Sequence, residues 1–109
     1  MLVKIIFLSL VISFLSNSVL AEDSIDKAFK LCAVFDGTGL LSEKCKVSGS
    51  NFSVDVSIDT SSKEAIQICK QIVGMLAKDK VYFDDGDWKI RIYSPFSNGK
   101  TIANCNLPS

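Results

Sequence analysis

Histidine is absent from this 109-residue chain. Histidine is the commonest general base in enzymes, the proton acceptor of the usual serine triad and the commonest metal ligand. Its absence removes most hydrolase mechanisms from consideration. A hydrolase built on two carboxylates stays open in principle, with Asp55 and Asp59 as its acids, but we expect these residues to belong to a solvated surface. The sequence therefore predicts that the protein is not an enzyme.

The chain also has no net charge, and its cysteines do not occur in closely spaced pairs. Lys and Arg number 12 and Asp and Glu number 12, with no basic stripe, so nucleic acid is not an expected partner. The four cysteines lack the C-x-x-C spacing of zinc sites. The sequence therefore predicts neither a metal site nor a cofactor.

The N-terminal segment has the three parts of a secretory signal peptide. Lys4 supplies a charged start, residues 5–15 are largely apolar, and Val-Leu-Ala at 19–21 suits a signal peptidase site. The apolar run is shorter than the roughly 20 residues that span a bilayer. We expect cleavage after residue 21, which leaves residues 22–109 as one periplasmic or secreted domain without a membrane anchor.

All four cysteines lie in this domain, and an even count in an exported chain predicts two disulfides. Cys32 and Cys69 fall on predicted helices, whereas Cys45 and Cys105 fall on predicted strands. Four cysteines allow three connectivities. We favour Cys32–Cys45 and Cys69–Cys105, because each bridge then closes a loop within one half of the domain, and the other two pairings stay open.

Two segments have the apolar period of amphipathic helices. Asp23 or Ser24 can cap the first helix, which we expect to end near Phe35. Ser61 and Glu64 have the spacing of a capping box at the start of the second helix. An apolar stripe follows in that helix, which we expect to be the main core helix: Ala65, Ile66, Cys69, Ile72, Val73 and Leu76.

Four segments alternate apolar and polar residues as strands do, at 44–47, 52–59, 88–92 and 101–107. The order α-β-β-α-β-β predicts an α+β fold in which both helices pack on one face of a four-stranded antiparallel sheet. The opposite face would be solvated. It would carry Ser53, Asp55, Ser57, Asp59, Lys89 and Arg91.

An acidic turn contains Asp84, Asp85 and Asp87, which suggests calcium. An EF-hand loop that starts at Asp84 would need a glutamate where Pro95 stands, and oxygen ligands where a glycine and a tryptophan stand. The spacing therefore predicts a solvated turn.

A second loop contains Tyr93, Pro95 and Phe96, between two predicted strands. Proline stiffens the backbone, and aromatic side chains often dominate the energetics of protein interfaces. These three residues are therefore the candidate partner-binding loop. The alternative is that Tyr93 or Phe96 folds back over the edge of the sheet.

These features favour a small exported protein without catalysis that binds another protein, such as an inhibitor or an immunity-type protein. The alternative is a periplasmic or envelope accessory protein that binds a small ligand or a glycan in the groove between helices and sheet. The lack of catalytic groups, cofactor motifs and a membrane anchor is the motivation for the first of these classes.

Overall fold

The computed structural model describes residues 23–109, which form two helices and one four-stranded sheet. The predicted signal peptide, residues 1–21, lies outside the described residues. Neither of the two described helices is long and apolar enough to cross a membrane. In chain order the elements are α1 (Ser24–Gly37), β1 (Leu41–Ser48), β2 (Ser53–Ile58), α2 (Ser62–Lys78), β3 (Lys89–Tyr93) and β4 (Thr101–Asn106).

Side-chain caps begin both helices. The Asp23 carboxylate accepts a hydrogen bond from the N–H of Asp26 at 3.1 Å. The Ser61 hydroxyl accepts one from the N–H of Glu64 at 3.2 Å. The Glu64 carboxylate does not complete a reciprocal capping box, because it accepts from the Thr60 hydroxyl at 2.9 Å. Each cap satisfies a backbone donor that the first helical turn leaves unpaired.

The sheet is mixed and has the strand order β1-β2-β3-β4. The pairs β1–β2 and β3–β4 are antiparallel, whereas β2 and β3 run parallel. The prediction of a purely antiparallel sheet is therefore wrong. The reason lies in the connection between β2 and β3, which contains the 17-residue helix α2. A crossover of that length is what brings two successive strands side by side in the same direction.

One face of the sheet forms the core against the helices. Val54 and Val56 of β2 pair with Ile90 and Ile92 of β3, and all four side chains are buried. This packing is the dominant stabilising term, since burial of apolar surface drives folding. The helices add Ala28, Leu31, Cys32, Phe35, Ala65 and Cys69 to the same core.

A disulfide joins each helix to one edge of the sheet. The structure has the two bridges that the sequence favours, Cys32–Cys45 between α1 and β1 and Cys69–Cys105 between α2 and β4. Since β1 and β4 are the two edge strands, the helices are anchored at opposite edges. Two disulfides in so small a domain fit an oxidising compartment.

The opposite face of the sheet departs from expectation. Ser53 is buried and not solvated. Phe52 precedes β2 with a φ of 52°, and its ring packs edge-on against buried Trp88 at 5.7 Å. Asp59 lies beyond the end of β2, so it is not on the same strand as Asp55. The strand β2 is shorter at both ends than the alternating segment of the sequence, because the residues at the two ends of that segment belong to the adjoining turns.

Removal of the Cys69–Cys105 bridge should destabilise the protein more than removal of Cys32–Cys45. The bridged residues are 36 and 13 positions apart, respectively. The chain-entropy model gives about 4 kcal/mol for the longer loop and about 3 kcal/mol for the shorter one. We expect these losses in paired cysteine-to-serine variants, measured by urea denaturation with circular dichroism. Equal losses, or the reverse order, would show that packing around the bridges outweighs chain entropy.

Candidate partner-binding site

The loop between β3 and β4 begins with a tight turn around Pro95. The N–H of Ser97 donates to the carbonyl of Ser94 at 3.1 Å. Pro95 occupies the second position of this turn, where its fixed φ is favourable. The N–H of Phe96 donates to the hydroxyl of Ser94 at 3.1 Å. The backbone on both sides of Phe96 is therefore held by hydrogen bonds.

A second turn follows at once and completes the loop. The N–H of Lys100 donates to the carbonyl of Ser97 at 3.1 Å. The two central residues, Asn98 and Gly99, have φ values of 54° and 77°. Positive φ at both positions is what a type I′ turn requires, and Asn-Gly is the pair that adopts it most readily. The loop is therefore two successive turns that share Ser97.

The Ser97 side chain ties the two ends of this loop together. Its hydroxyl oxygen accepts from the N–H of Ser94 at 3.2 Å. The same oxygen lies 2.8 Å from the carbonyl of Ser94 and 2.6 Å from the carbonyl of Lys100. Its single proton donates to one of these carbonyls at a time. The loop is consequently preorganised by its own hydrogen bonds.

Phe96 is the most exposed large hydrophobic side chain among the described residues, with 79% of its surface accessible. The expectation that Phe96 could fold back over the sheet edge is therefore wrong. Turn geometry accounts for Pro95 and Ser97, but it gives no reason for a phenylalanine between them. An aromatic ring presented on a rigid loop is a common form of interface anchor.

A polar groove of about 340 Å³ lies beside the loop. Tyr93 and Pro95 both line this groove, whereas Phe96 lies next to it and outside its lining. The structure therefore brings two of the three predicted residues into one concave surface and places the third at its margin. The groove is completed by β1, by β2 and by the rest of the loop, through Glu43, Lys46, Asp55, Ser57, Ser94 and Gly99.

A bidentate ion pair crosses the polar face of the sheet. Arg91 donates from Nε to Oδ1 of Asp55 at 2.9 Å and from Nη2 to Oδ2 at 3.0 Å. The two residues are direct register partners on β2 and β3, and each side chain is about one-fifth exposed. Hydrogen bonding to Asp55 raises the pKa of Arg91. This ion pair engages both carboxylate oxygens of Asp55. The alternating sequence pattern alone did not predict it.

The acidic turn is exposed, but Asp85 has a structural role in it. The nearby polar groups of Ser24 chiefly, and of the Trp88 indole in addition, lower the pKa of the Asp85 carboxyl. The Trp88 Nε1 atom donates to Asp85 Oδ1 at 3.3 Å. Asp85 thus links this turn to the buried side chain of Trp88. Within residues 23–109, no group of three or more His, Cys, Asp or Glu side chains is placed to hold a metal ion.

No family model, curated protein or solved structure matches this chain. Its function therefore has to be inferred from its own residues. Among the described residues, the loop that carries Phe96 combines a fixed backbone, an exposed aromatic ring and an adjacent groove. This combination makes it the candidate functional site.

Replacement of Asp85 by asparagine should destabilise the protein near neutral pH and matter less in acid. The pKa of Asp85 lies below its ordinary value of 3.8 in the folded state, so its charged form favours folding. That contribution is present above the unfolded-state pKa and disappears as pH falls through the folded-state pKa. The difference in melting temperature between wild type and Asp85→Asn should be smaller at about pH 2.5 than at about pH 6. Asp84→Asn is the control. A difference in melting temperature between wild type and Asp85→Asn that stays unchanged in acid would contradict this role.

Replacement of Ser97 by alanine should loosen the loop without unfolding the domain. The variant loses the hydroxyl that contacts both ends of the loop, so the backbone amides at Ser94 and Lys100 should exchange hydrogen faster. We expect global stability to fall by no more than about 1.5 kcal/mol, the net value of a typical hydrogen bond. Hydrogen-exchange mass spectrometry measures the first effect and urea denaturation the second. Exchange no faster than in Ser50→Ala, a variant in the β1–β2 turn, would show that Ser97 does not hold the loop.

Proposed function

We propose that this protein is a small exported binding protein, periplasmic or secreted, that acts on another protein without catalysis. The observation that carries the proposal is Phe96, fully presented on a loop whose conformation is fixed before binding. A preformed loop loses less conformational entropy on association, so more of the contact energy appears as affinity. Tyr93, Pro95 and Phe96 are the residues that would contact the partner.

The polar groove supports hydrogen-bonded recognition beside this aromatic anchor. Glu43 pairs with Lys46 at 3.7 Å, and Asp55 pairs with Arg91 at 2.9 Å. Both acids that line the groove are therefore matched by a base already. A partner would insert polar, uncharged groups here, next to an apolar pocket that takes Phe96. An apolar anchor with a polar surround is the usual anatomy of a protein interface.

Export and the lack of catalysis rest on separate observations. The two disulfides fit an oxidising compartment, and the N-terminal sequence has the pattern of a signal peptide. The chain has no histidine, and the most central acid of the polar face, Asp55, is engaged by Arg91. An inhibitor or an immunity-type protein is the form of binding protein that suits a small domain held by disulfides.

Site-specific crosslinking tests the proposed site. A photoreactive phenylalanine analogue at position 96 should give a discrete adduct with one protein from the envelope or medium of the source organism. The same analogue at Phe29, an exposed aromatic residue on α1, is the matched control and should not give that adduct. An adduct pattern that is the same from both positions would contradict the proposal.

Affinity for the partner identified by crosslinking then measures the contribution of the anchor. Phe96→Ala should weaken binding by at least about 30-fold, as expected for a hot-spot aromatic residue. Phe29→Ala should leave binding unchanged, because Phe29 lies in the helical layer. If Phe96→Ala binds as tightly as wild type, another surface carries the interaction.

The second candidate function is an envelope accessory protein that binds a small ligand or a glycan between the helices and the sheet. The structure has a groove in that region, between α1 and α2, and its lining is mostly apolar. A glycan needs hydrogen-bond partners for its hydroxyl groups, and aliphatic side chains supply none. This groove therefore favours an apolar ligand over a glycan.

A further inference from the structure

The groove between α1 and α2 is long, apolar and continuous. Its larger part has a volume of about 330 Å³, and a second part has about 210 Å³. The two parts share Leu31, Val34 and Leu76, so they form one channel-like surface along the helices. Ile68, Ile72 and Met75 of α2 complete the larger part.

Two side chains of this groove are largely exposed. Val34 on α1 and Met75 on α2 are 66% and 64% exposed. Single exposed apolar residues are ordinary on a protein surface. Here, however, they line one concave surface between two helices, and a concave apolar site of a few hundred Å³ is the usual form of a small-molecule pocket.

Few charged residues line the groove, and the two cationic ones lie in its smaller part. Lys27 and Lys30 line one end, beside Val81, whereas Asp79 is the only charged residue that lines the other part. The Lys27 ammonium donates to the carbonyl of Tyr82 at 2.6 Å. That acceptor is neutral, so the Lys27 charge is not matched by a carboxylate among the described residues. An anion would therefore be favoured at this end.

We propose that the groove binds a free fatty acid, with its hydrocarbon chain along Leu31, Val34 and Leu76 and its carboxylate at Lys27. The chain would bury the aliphatic lining, and the carboxylate would accept a charge-assisted hydrogen bond from the ammonium group. The site lies on the helical side of the sheet, away from Phe96, and does not rest on the proposed partner-binding function.

A concave groove with one cationic end favours a single acyl chain over a bilayer surface. Insertion into a bilayer needs apolar side chains that protrude together from a convex surface. In this protein Val34 and Met75 instead lie on the two facing walls of the groove. A monomeric ligand can enter between those walls, whereas the tails of packed lipids cannot reach them without leaving the bilayer.

Calorimetric titration of the purified protein with sodium dodecanoate, below its micellar concentration, tests the site directly. We expect saturable binding of one molecule. Dodecan-1-ol, which lacks the charge, should bind about tenfold more weakly. In the series octanoate, decanoate and dodecanoate, each added methylene should tighten binding by up to about fourfold. Equal affinity for dodecanoate and dodecan-1-ol would overturn the assignment of the carboxylate to Lys27.

Variants locate the ligand. Val34→Glu puts a carboxylate halfway along the groove and should weaken dodecanoate binding at least tenfold. Met75→Glu, on the facing helix, should do the same if Val34→Glu folds poorly. Phe29→Glu is the matched control, because Phe29 is an exposed α1 residue outside the groove lining. Lys27→Gln should lower the affinity for dodecanoate to that for dodecan-1-ol and leave the latter unchanged.

Other occupants of the groove give distinct results. Equal loss of binding in Phe29→Glu and Val34→Glu would overturn the location of the site. Binding to phospholipid vesicles with none to monomeric dodecanoate would assign the surface to a membrane. A dimer in sedimentation that Val34→Glu dissociates, with no dodecanoate binding, would assign it to a second copy of the chain. Each of these results contradicts the proposal.

Discussion

The parallel pairing of β2 with β3 is the constraint on which the rest of the structure depends. The two strands join the two halves of the domain, and the apolar core extends across both of them. On one face Val56 lies beside Ile92 in the buried core, and on the other Asp55 lies opposite Arg91. A shift of β3 by one residue would turn Arg91 into the apolar layer and break its pair with Asp55, and a buried unpaired charge is strongly disfavoured. The bidentate pair and the apolar core therefore specify the same register.

The same pairing decides which loops meet at the candidate site. In a parallel pair both strands end at the same end of the sheet, so Tyr93 at the end of β3 lies beside Ser57 near the end of β2. Glu43 near the start of β1 pairs with Ser57 from the other side. The three residues meet in the polar groove, and the loop with Phe96 follows directly. In an antiparallel pair this loop would lie at the far end of the sheet, beside the β1–β2 turn, and the groove would not form.

Sequence reasoning succeeds here where structure depends on neighbours along the chain. The cysteine pairing is favoured because each bridge closes a loop within one half of the domain, while two other pairings stay open. The helix cap at Ser61 and the alternating strands follow from local pattern. The partner of Asp55 does not, because Arg91 lies 36 residues away and alternation is the same in parallel and antiparallel sheets. The helix between β2 and β3 was the signal for a parallel pair. The loop with Phe96 was visible as a turn, but its rigidity depends on the orientation of the Ser97 hydroxyl, which no residue pattern specifies.

The disulfides explain why the groove between the helices stays open. Apolar stripes on neighbouring helices normally close on each other at an interaxial distance of about 8–10 Å. In this protein Cys32–Cys45 anchors α1 to β1 and Cys69–Cys105 anchors α2 to β4, at opposite edges of the sheet. Three strand spacings separate those edges, which is roughly 14 Å. The helices are therefore anchored farther apart than close packing requires, and Ile58 at the end of β2 lines the gap between them. Because each bridge holds one helix at its own edge of the sheet, the two disulfides oppose closure of the groove.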